Sequence, residues 1–389
     1  MASALHTSAR TARDGGPYRF FNSHDIVVSY QKERKQMETL HGRREFLKLK
    51  SAGRLVASLS GGEWPGESRT EAGEGSLYRI GRKAMATRFE ILVNTFDSGK
   101  IPVCKSALDE IDLLEDQLSV YRDTSELSRI NRDAHQEPVP VEENLFHLFQ
   151  ECKNLWLETD GCFDIAVHRL LEAWGLFRGP QKLPSEIEIE QALECSSFDE
   201  VCLDRDKQTV RFKRPGVGIN LGAIGKGYAL DRTSEILESA GLSNFLIHGG
   251  NSSILASGSS SWQGDGWLIG LAHPLDQTRI IARVQLADKA ASTSALRPGA
   301  IMGSDLPHVL DPRRGRPLQT DLVSVSVFCS SAREAEALST AFLVMGVDEA
   351  EAFCESREDL GAVFLLNATN GCGDLVSVGL SEGVLEEVL

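Results

Sequence analysis

The chain has 389 residues, of which 41% are hydrophobic and 25% charged, so a packed globular core is expected. The formal net charge of -15 argues against a nucleic-acid-binding protein, because phosphate contacts need clustered Lys and Arg. No apolar run reaches the roughly eighteen residues of a transmembrane span, and none of the eight cysteines forms a C-x-x-C pair. Zinc and thioredoxin-type sites therefore have little support.

The amino-terminal segment, residues 1–75, is predicted to be a flexible, disordered basic tail. Residues 1–60 hold 11 Lys and Arg against 5 Asp and Glu, and glycine-rich stretches follow them. Arg43-Arg44 resembles a twin-arginine export signal, although Lys50 and Arg54 interrupt the apolar run that comes next. Two expectations stay open: export to the periplasm or cell envelope, and a cytoplasmic protein with a basic arm.

From residue 76 onward, apolar spacing predicts helices and short strands in mixed order. Alternating residues predict a strand over 82–94, and Leu108, Ile111, Leu114 and Leu118 predict a helix over 101–120. Further helices are predicted over 142–159, 165–174, 182–193, 228–240 and 333–345, and strands over 201–203, 209–212, 245–247, 253–256, 267–271, 280–286 and 322–328. No regular βαβ rhythm appears, so we predict an α+β fold with one catalytic unit, 76–389.

The most informative run is 220–231, Asn-Leu-Gly-Ala-Ile-Gly-Lys-Gly-Tyr-Ala-Leu-Asp. We expect a strand to lead in, three glycines to turn the backbone and a helix to follow. Glycines let backbone amides approach a phosphate, a helix start favours negative charge, and Lys226 adds a mobile cation. Neither the P-loop pattern nor G-x-G-x-x-G is met. A phosphate cradle and a plain strand-to-helix turn are both open.

Two further segments carry residues suited to chemistry. Glu336 and Thr340 are four residues apart on a predicted helix, so their oxygens share one face and could ligate magnesium. The alternative is a solvated surface pair with a threonine bonded to its own backbone. His308 lies in a loop three residues before Asp311 and could act as a general base, although a lone histidine is more often structural.

Taken in order, these segments resemble the FAD:protein FMN transferase family, the ApbE-type flavin transferases. The resemblance runs from about residue 80 to 346 and rests on short motifs: Met85-Ala86-Thr87, Leu118 to Tyr121, Ser125 to Asn131, Gly161 to Asp164, Trp174-Gly175, 220–231, Gly249 to Asn251, Ser292 to Ser294, His308 to Pro317 and Glu336 to Thr340. It implies a T-fold-related domain that moves FMN from FAD to a threonine hydroxyl of an acceptor flavoprotein. It also implies release of AMP and a need for magnesium.

The same resemblance implies roles for particular residues. The FAD-contacting positions are Met85, Tyr121, Cys162, Phe163, Asp164, Asn220, Lys226 and Leu310. The metal positions are the Ala223 carbonyl, Glu336 and Thr340, with Ser339 as a weaker candidate. The catalytic positions are His308, as the proton acceptor, and Asp311.

Five positions depart from the family's pattern. Ala86 and Ala295 replace glycines, Asn220 replaces an aspartate, Arg314 replaces a threonine, and Glu336 replaces an aspartate. The changes leave two other functions open beside flavin transfer: an FAD pyrophosphatase, in which water takes the place of the acceptor threonine, and a non-catalytic FAD-binding protein. A domain that binds nothing is a further, weaker alternative, given the density of matched motifs.

Overall fold

The computed structural model describes residues 77–178, 182–260, 266–297, 299–301, 304–367, 373–381 and 383–388, together with three two-residue strands in the tail. The rest of the predicted tail, including Arg43-Arg44, lies outside the described residues. Within the described part, no helix is both long and apolar enough to span a bilayer.

Strands and helices follow one another in mixed order. The strands are β1 (Ile26–Val27), β2 (Ser29–Tyr30), β3 (Leu55–Val56), β4 (Leu77–Ala84), β5 (Thr87–Asn94), β6 (Val139–Pro140), β7 (Val201–Asp204), β8 (Thr209–Phe212), β9 (Phe245–Gly249), β10 (Ser253–Ser257), β11 (Trp267–His273), β12 (Asp276–Leu286), β13 (Lys289–Ala295), β14 (Leu310–Asp311), β15 (Arg316–Pro317), β16 (Leu322–Cys329), β17 (Gly361–Leu366), β18 (Asp374–Val378) and β19 (Leu385–Glu387). The helices are α1 (Ile101–Leu118), α2 (Glu126–Asp133), α3 (Glu143–Glu158), α4 (His168–Ala173), α5 (Glu186–Leu193), α6 (Gly225–Ser239), α7 (Ala332–Met345) and α8 (Val347–Glu355). The predicted α+β class is confirmed.

Several helices begin where a side chain satisfies a free backbone N–H. The Ser125 hydroxyl accepts from the Ser128 N–H at the start of α2. Ser185 and Glu188 form a capping box at the start of α5, and the Ser331 hydroxyl caps α7. These caps fix where each helix enters the fold.

An eight-stranded antiparallel sheet, in the order β18-β17-β16-β13-β10-β9-β5-β4, forms the middle layer. Side chains alternate across it: Phe89, Ile91 and Val93 of β5 face a core shared with helices such as α1, α6 and α7, whereas Leu92 faces the opposite core. That opposite core is shared with a second sheet, β1-β11-β12-β19. The eight-stranded sheet thus has helices on one face and strands on the other.

A smaller apolar cluster supports the loop that carries His308. Leu170 of α4 and Trp174, which follows that helix, pack there with Ile189 and Ala192 of α5 and with Leu310 of the β14–β15 hairpin. The Trp174 indole Nε1–H donates to the Gly315 carbonyl at 2.8 Å and fixes the hairpin turn. The hairpin is therefore held by helices rather than by the large sheet.

Two sequence predictions about local structure are wrong. The strand predicted over 82–94 is a hairpin, because Met85 and Ala86 adopt φ values of 48° and 59° and reverse the chain between β4 and β5. No strand leads into 220–231: the preceding residues form a loop, and α6 begins at Gly225 rather than at Tyr228. The Asn131 side chain holds that loop by bonding both backbone groups of Ile219.

Candidate functional site

Helices α6 and α7 touch backbone to backbone at Gly227. A Cβ on Gly227 would lie 2.6 Å from the Arg333 Cα and closer still to the Ala332 carbonyl oxygen. Gly225, two residues earlier in the same segment, has no such neighbour, since the nearest atom to its Cβ would be the Leu221 Cβ at 4.0 Å. Gly227 is therefore required for helix packing, a role that a phosphate-binding interpretation of the segment does not predict.

Two buried carboxylates join the helices, one reaching from α6 to α7 and the other from α7 to α6. Asp231 of α6 accepts hydrogen bonds from the Ser331 hydroxyl and the Ala332 N–H, both at 2.8 Å, at the start of α7. Glu336 of α7 reaches back and accepts from the Gly227 N–H at 2.6 Å. An acceptor at the start of each helix satisfies N–H groups that have no partner within the helix. The relative position of 220–231 and Glu336 is thereby fixed.

Glu336 also forms an ion pair with Lys226. The carboxylate is 4% exposed, and its Oε1 meets the Lys226 ammonium while its Oε2 takes the Gly227 N–H. A buried carboxylate needs such a counter-charge, because an isolated buried ion is costly. The predicted metal position and the predicted phosphate-binding lysine thus meet directly.

Hydroxyl groups lie on the next turn of α7 and contact the Glu336 backbone carbonyl. Ser294 of β13 shares hydrogen bonds with the Ser339 hydroxyl at 2.8 Å and the Thr340 hydroxyl at 3.2 Å. Ser339 also donates to the Glu336 carbonyl at 2.9 Å. Ala223 lies just before α6, partly buried against the helix-side core. Oxygen atoms of a carboxylate, hydroxyls and a carbonyl are hard donors of the kind magnesium takes together with water.

The metal-binding atoms at this place are not several carboxylates or thiolates. Across the described ranges, no three His, Cys, Asp or Glu side chains gather in a way that could hold a metal. A cation bound here would depend on Glu336, neighbouring hydroxyls such as Thr340, and water. That donor set fits magnesium, which keeps several waters and commonly uses one or two carboxylates.

The segment around Asn220 connects the helices to the Gly161–Asp164 motif. The Asn220 N–H donates to the Ile165 carbonyl at 2.7 Å, and its side-chain oxygen accepts from the Gly222 N–H at 2.9 Å. The second hydrogen bond closes a local turn. An aspartate would form the same bond, and its negative charge would strengthen it. Asn220 therefore keeps the shape of the turn while removing a negative charge from it.

The predicted FAD contacts Cys162, Phe163 and Asp164 turn their side chains inward. Cys162 and Phe163 are 1% and 2% exposed. Asp164 accepts from the Ala166 N–H at 2.7 Å and the Phe198 N–H at 2.9 Å, and burial raises the pKa of its carboxyl to about 6. Beside it lies a cavity of about 400 Å³ that extends to Gly161 and Arg313. These side chains brace the segment, so its backbone is the part suited to ligand contact.

His308, Leu310 and Asp311 belong to the β14–β15 region. His308 is half-buried in the loop before β14, and Leu310 is buried against α4 and α5. The Asp311 carboxylate is engaged within its own turn, where it accepts from the Arg313 N–H at 2.9 Å and pairs with the Arg313 and Arg314 guanidinium groups. Arg314, which replaces the family's threonine, thus joins Asp311 in this turn. Asp311 shapes the loop that carries His308.

Tyr121 and Met85 occupy exposed turns. The Tyr121 ring is 41% exposed and packs at 5.1 Å on Phe177, which in turn packs at 4.4 Å on His168. Met85 begins the β4–β5 turn and packs partly against the helix-side core. Ala86, beside it, is exposed in a left-handed conformation that suits the glycine it replaces.

The structure joins most of the predicted segments by direct contact. Segment 220–231 contacts the Glu336 helix, Asn220 bonds the chain just after Asp164, and Arg313 lies 3.5 Å from a Cβ position on Gly161. The sequence missed the structural roles of Asn131, Asp231 and Ser294, although each stands in a quoted motif. Each of them bonds a partner 45 to 100 residues away, which the local sequence does not indicate.

Comparisons with known proteins point to one family. A sequence model of the ApbE family matches residues 85–364. The chain is 31% identical to an FAD:protein FMN transferase of Klebsiella pneumoniae over 64% of this chain and 78% of that protein, and 28% identical to one of Escherichia coli K12 over 78% and 87%.

Solved structures show the same fold. The ApbE protein of Thermotoga maritima superposes with a TM-score of 0.70 at 27% identity, covering 78% of this chain and 97% of that one. The flavin transferase ApbE of Vibrio cholerae gives 0.68 at 24% identity over the same shares. The family match covers most of the chain and includes every predicted site residue, and the chain therefore belongs to the ApbE family.

Proposed function

We propose that this protein transfers FMN from FAD to a threonine hydroxyl of an acceptor protein, releases AMP and requires magnesium. The observation that carries the proposal is the direct meeting of Lys226 with Glu336 beside Thr340 and Ser294. A cation and an oxygen-rich ligand set beside a glycine segment whose Gly222 is exposed suit a pyrophosphate. The relatives named FAD:protein FMN transferase support the choice of FAD as the substrate.

The proposed reaction exchanges a phosphoanhydride bond of FAD for a phosphate ester bond to threonine. The acceptor threonine oxygen forms a bond to the phosphorus of the FMN half, and the bond from that phosphorus to the bridging oxygen breaks. The bridging oxygen leaves with AMP and keeps the electron pair. The threonine proton goes to a base, for which His308 is the candidate. Loss of that proton makes the oxygen a stronger nucleophile.

The chain's own groups have separate tasks in this proposal. Bound magnesium would neutralise charge on the pyrophosphate and on the departing AMP. Glu336 and Thr340, with Ser339 and the Ala223 carbonyl, would hold the cation. Lys226 would contact a phosphate oxygen, and the backbone of 162–164 with the rings of Tyr121 and Phe177 would orient the flavin dinucleotide.

The test compares His308→Ala with the unchanged protein. With FAD, magnesium and a threonine-containing acceptor, we expect the variant to lose about 100-fold or more of the transfer rate, the range for loss of a positioned base. FAD affinity, followed by flavin fluorescence, should change little. A matched control is His147→Ala, in α3. If His308→Ala transfers FMN as fast as the unchanged protein, His308 is not the base.

A further inference from the structure

The two oxygens of the Glu336 carboxylate have partners of different mobility. The Gly227 N–H on Oε2 belongs to the first turn of α6, which is locked against α7 by backbone contact and by Asp231. The Lys226 ammonium on Oε1 stands on a flexible four-carbon side chain that is 17% exposed. The backbone partner is therefore fixed, and the lysine is the partner that can leave.

A divalent cation and the Lys226 ammonium need the same oxygen. The Gly227 N–H already occupies Oε2, so a cation that binds this carboxylate has to take Oε1, which the lysine now holds. Two positive charges on one carboxylate oxygen repel strongly where little water screens them, and Glu336 is only 4% exposed. Both cations cannot hold Oε1 together.

We propose that Lys226 is a built-in competitor of the divalent cation on Glu336. In the cation-free protein the ammonium neutralises the buried carboxylate and keeps the site assembled. Cation binding displaces the ammonium, which then becomes available to an anionic ligand such as a phosphate group. The inference rests on the proposed function for the identity of the cation, and it links occupation of the metal site to exposure of the phosphate-binding lysine.

Magnesium titration of the full chain without FAD tests the competition. We expect Lys226→Met to bind Mg²⁺ about tenfold or more tighter than the unchanged protein, because the buried carboxylate then lacks a counter-charge. Lys226→Arg keeps a competing cation and should stay close to the unchanged protein. Lys182→Met, which removes an exposed lysine paired with Glu188, is the matched control and should not change the affinity.

Equal or weaker Mg²⁺ binding by Lys226→Met would overturn the competition, and so would the absence of Mg²⁺ binding in every variant. Should Lys226→Met fail to fold, the unchanged protein still gives an answer through acetylation of lysines followed by peptide mass spectrometry. Mg²⁺ should speed the labelling of Lys226 while Lys182 stays constant. Labelling of Lys226 that is unchanged or slowed overturns the proposal. FMN transfer is measured separately, so a chain that transfers FMN but fails here leaves the proposed function standing.

Discussion

Gly227→Ala tests whether the glycine-rich segment serves helix packing. The added methyl would lie 2.6 Å from the Arg333 Cα, whereas ordinary contacts lie at 3.4–4 Å, so the α7 backbone would have to retreat by about 1 Å. Overpacking costs about 1–3 kcal/mol, and a contact this close to backbone atoms belongs at about 3 kcal/mol, whereas the better helix propensity of alanine returns about 1 kcal/mol. We expect a net loss of about 2 kcal/mol in the free energy of unfolding.

Gly225→Ala is the matched control for this experiment. It makes the same chemical change in the same helix, but its methyl would meet nothing closer than 4.0 Å. We expect it to be neutral or to stabilise by up to about 1 kcal/mol. Urea unfolding followed by circular dichroism gives both free energies from the transition midpoint and slope. Gly227→Ala should also weaken Mg²⁺ binding, since a retreat of α7 draws Glu336 away from the Gly227 N–H.

A different result would refute the packing role. If the two variants are equally stable, the backbone contact between α6 and α7 is not what requires glycine at position 227. If both variants keep full stability and both lose FAD binding to the same extent, the segment acts as a phosphate cradle in which each glycine matters equally. The packing account expects a difference in stability of about 2–3 kcal/mol between them.

Three further predictions concern single residues. Ala86→Gly should stabilise the protein by about 0.5–1 kcal/mol, because φ is 59° at this exposed turn. Ala84→Gly, in the adjoining strand, should not stabilise it, and the midpoints of urea unfolding compare the two variants. Burial raises the pKa of Asp164 from 3.8 to about 6, so the protonated carboxyl stabilises the fold below pH 4. The free energy of unfolding should therefore fall by up to about 3 kcal/mol as the pH rises through 6, and Asp164→Asn should not show that fall. Glu336→Ala should weaken Mg²⁺ binding about tenfold or more in calorimetry, whereas the control Glu334→Ala should not change it. An unchanged affinity of Glu336→Ala would show that Glu336 is not a metal ligand.

The sequence predicted the elements whose spacing is regular. Helix α1 was predicted because Leu108, Ile111 and Leu114 repeat at helical spacing and do lie in the core. Strand β13, Lys289–Ala295, was not predicted, because its small residues show no alternation of apolar and polar side chains. Local periodicity identifies an element only when one face is distinctly apolar.

The sequence predicts candidate residues for the site but not the contacts between them. Lys226 and Glu336 were both candidates, yet their ion pair joins residues 110 positions apart. For Gly227 the sequence offers only a phosphate cradle or a plain turn, because the residue that it touches, Arg333, is also remote in the sequence. Asp231 likewise caps a helix 100 residues later. Such contacts depend on how helices pack, which a single sequence does not state.

Incubation of the purified chain with FAD, Mg²⁺ and a threonine-containing acceptor protein tests the central claim most directly. Intact mass spectrometry of the acceptor and chromatography of the nucleotides follow the reaction, and a threonine-to-alanine acceptor is the control. The account predicts FMN bound covalently to the threonine acceptor, an equal amount of AMP, and neither with the control. FMN and AMP without an adduct would indicate hydrolysis, and FAD recovered intact would indicate binding alone. Either result contradicts flavin transfer.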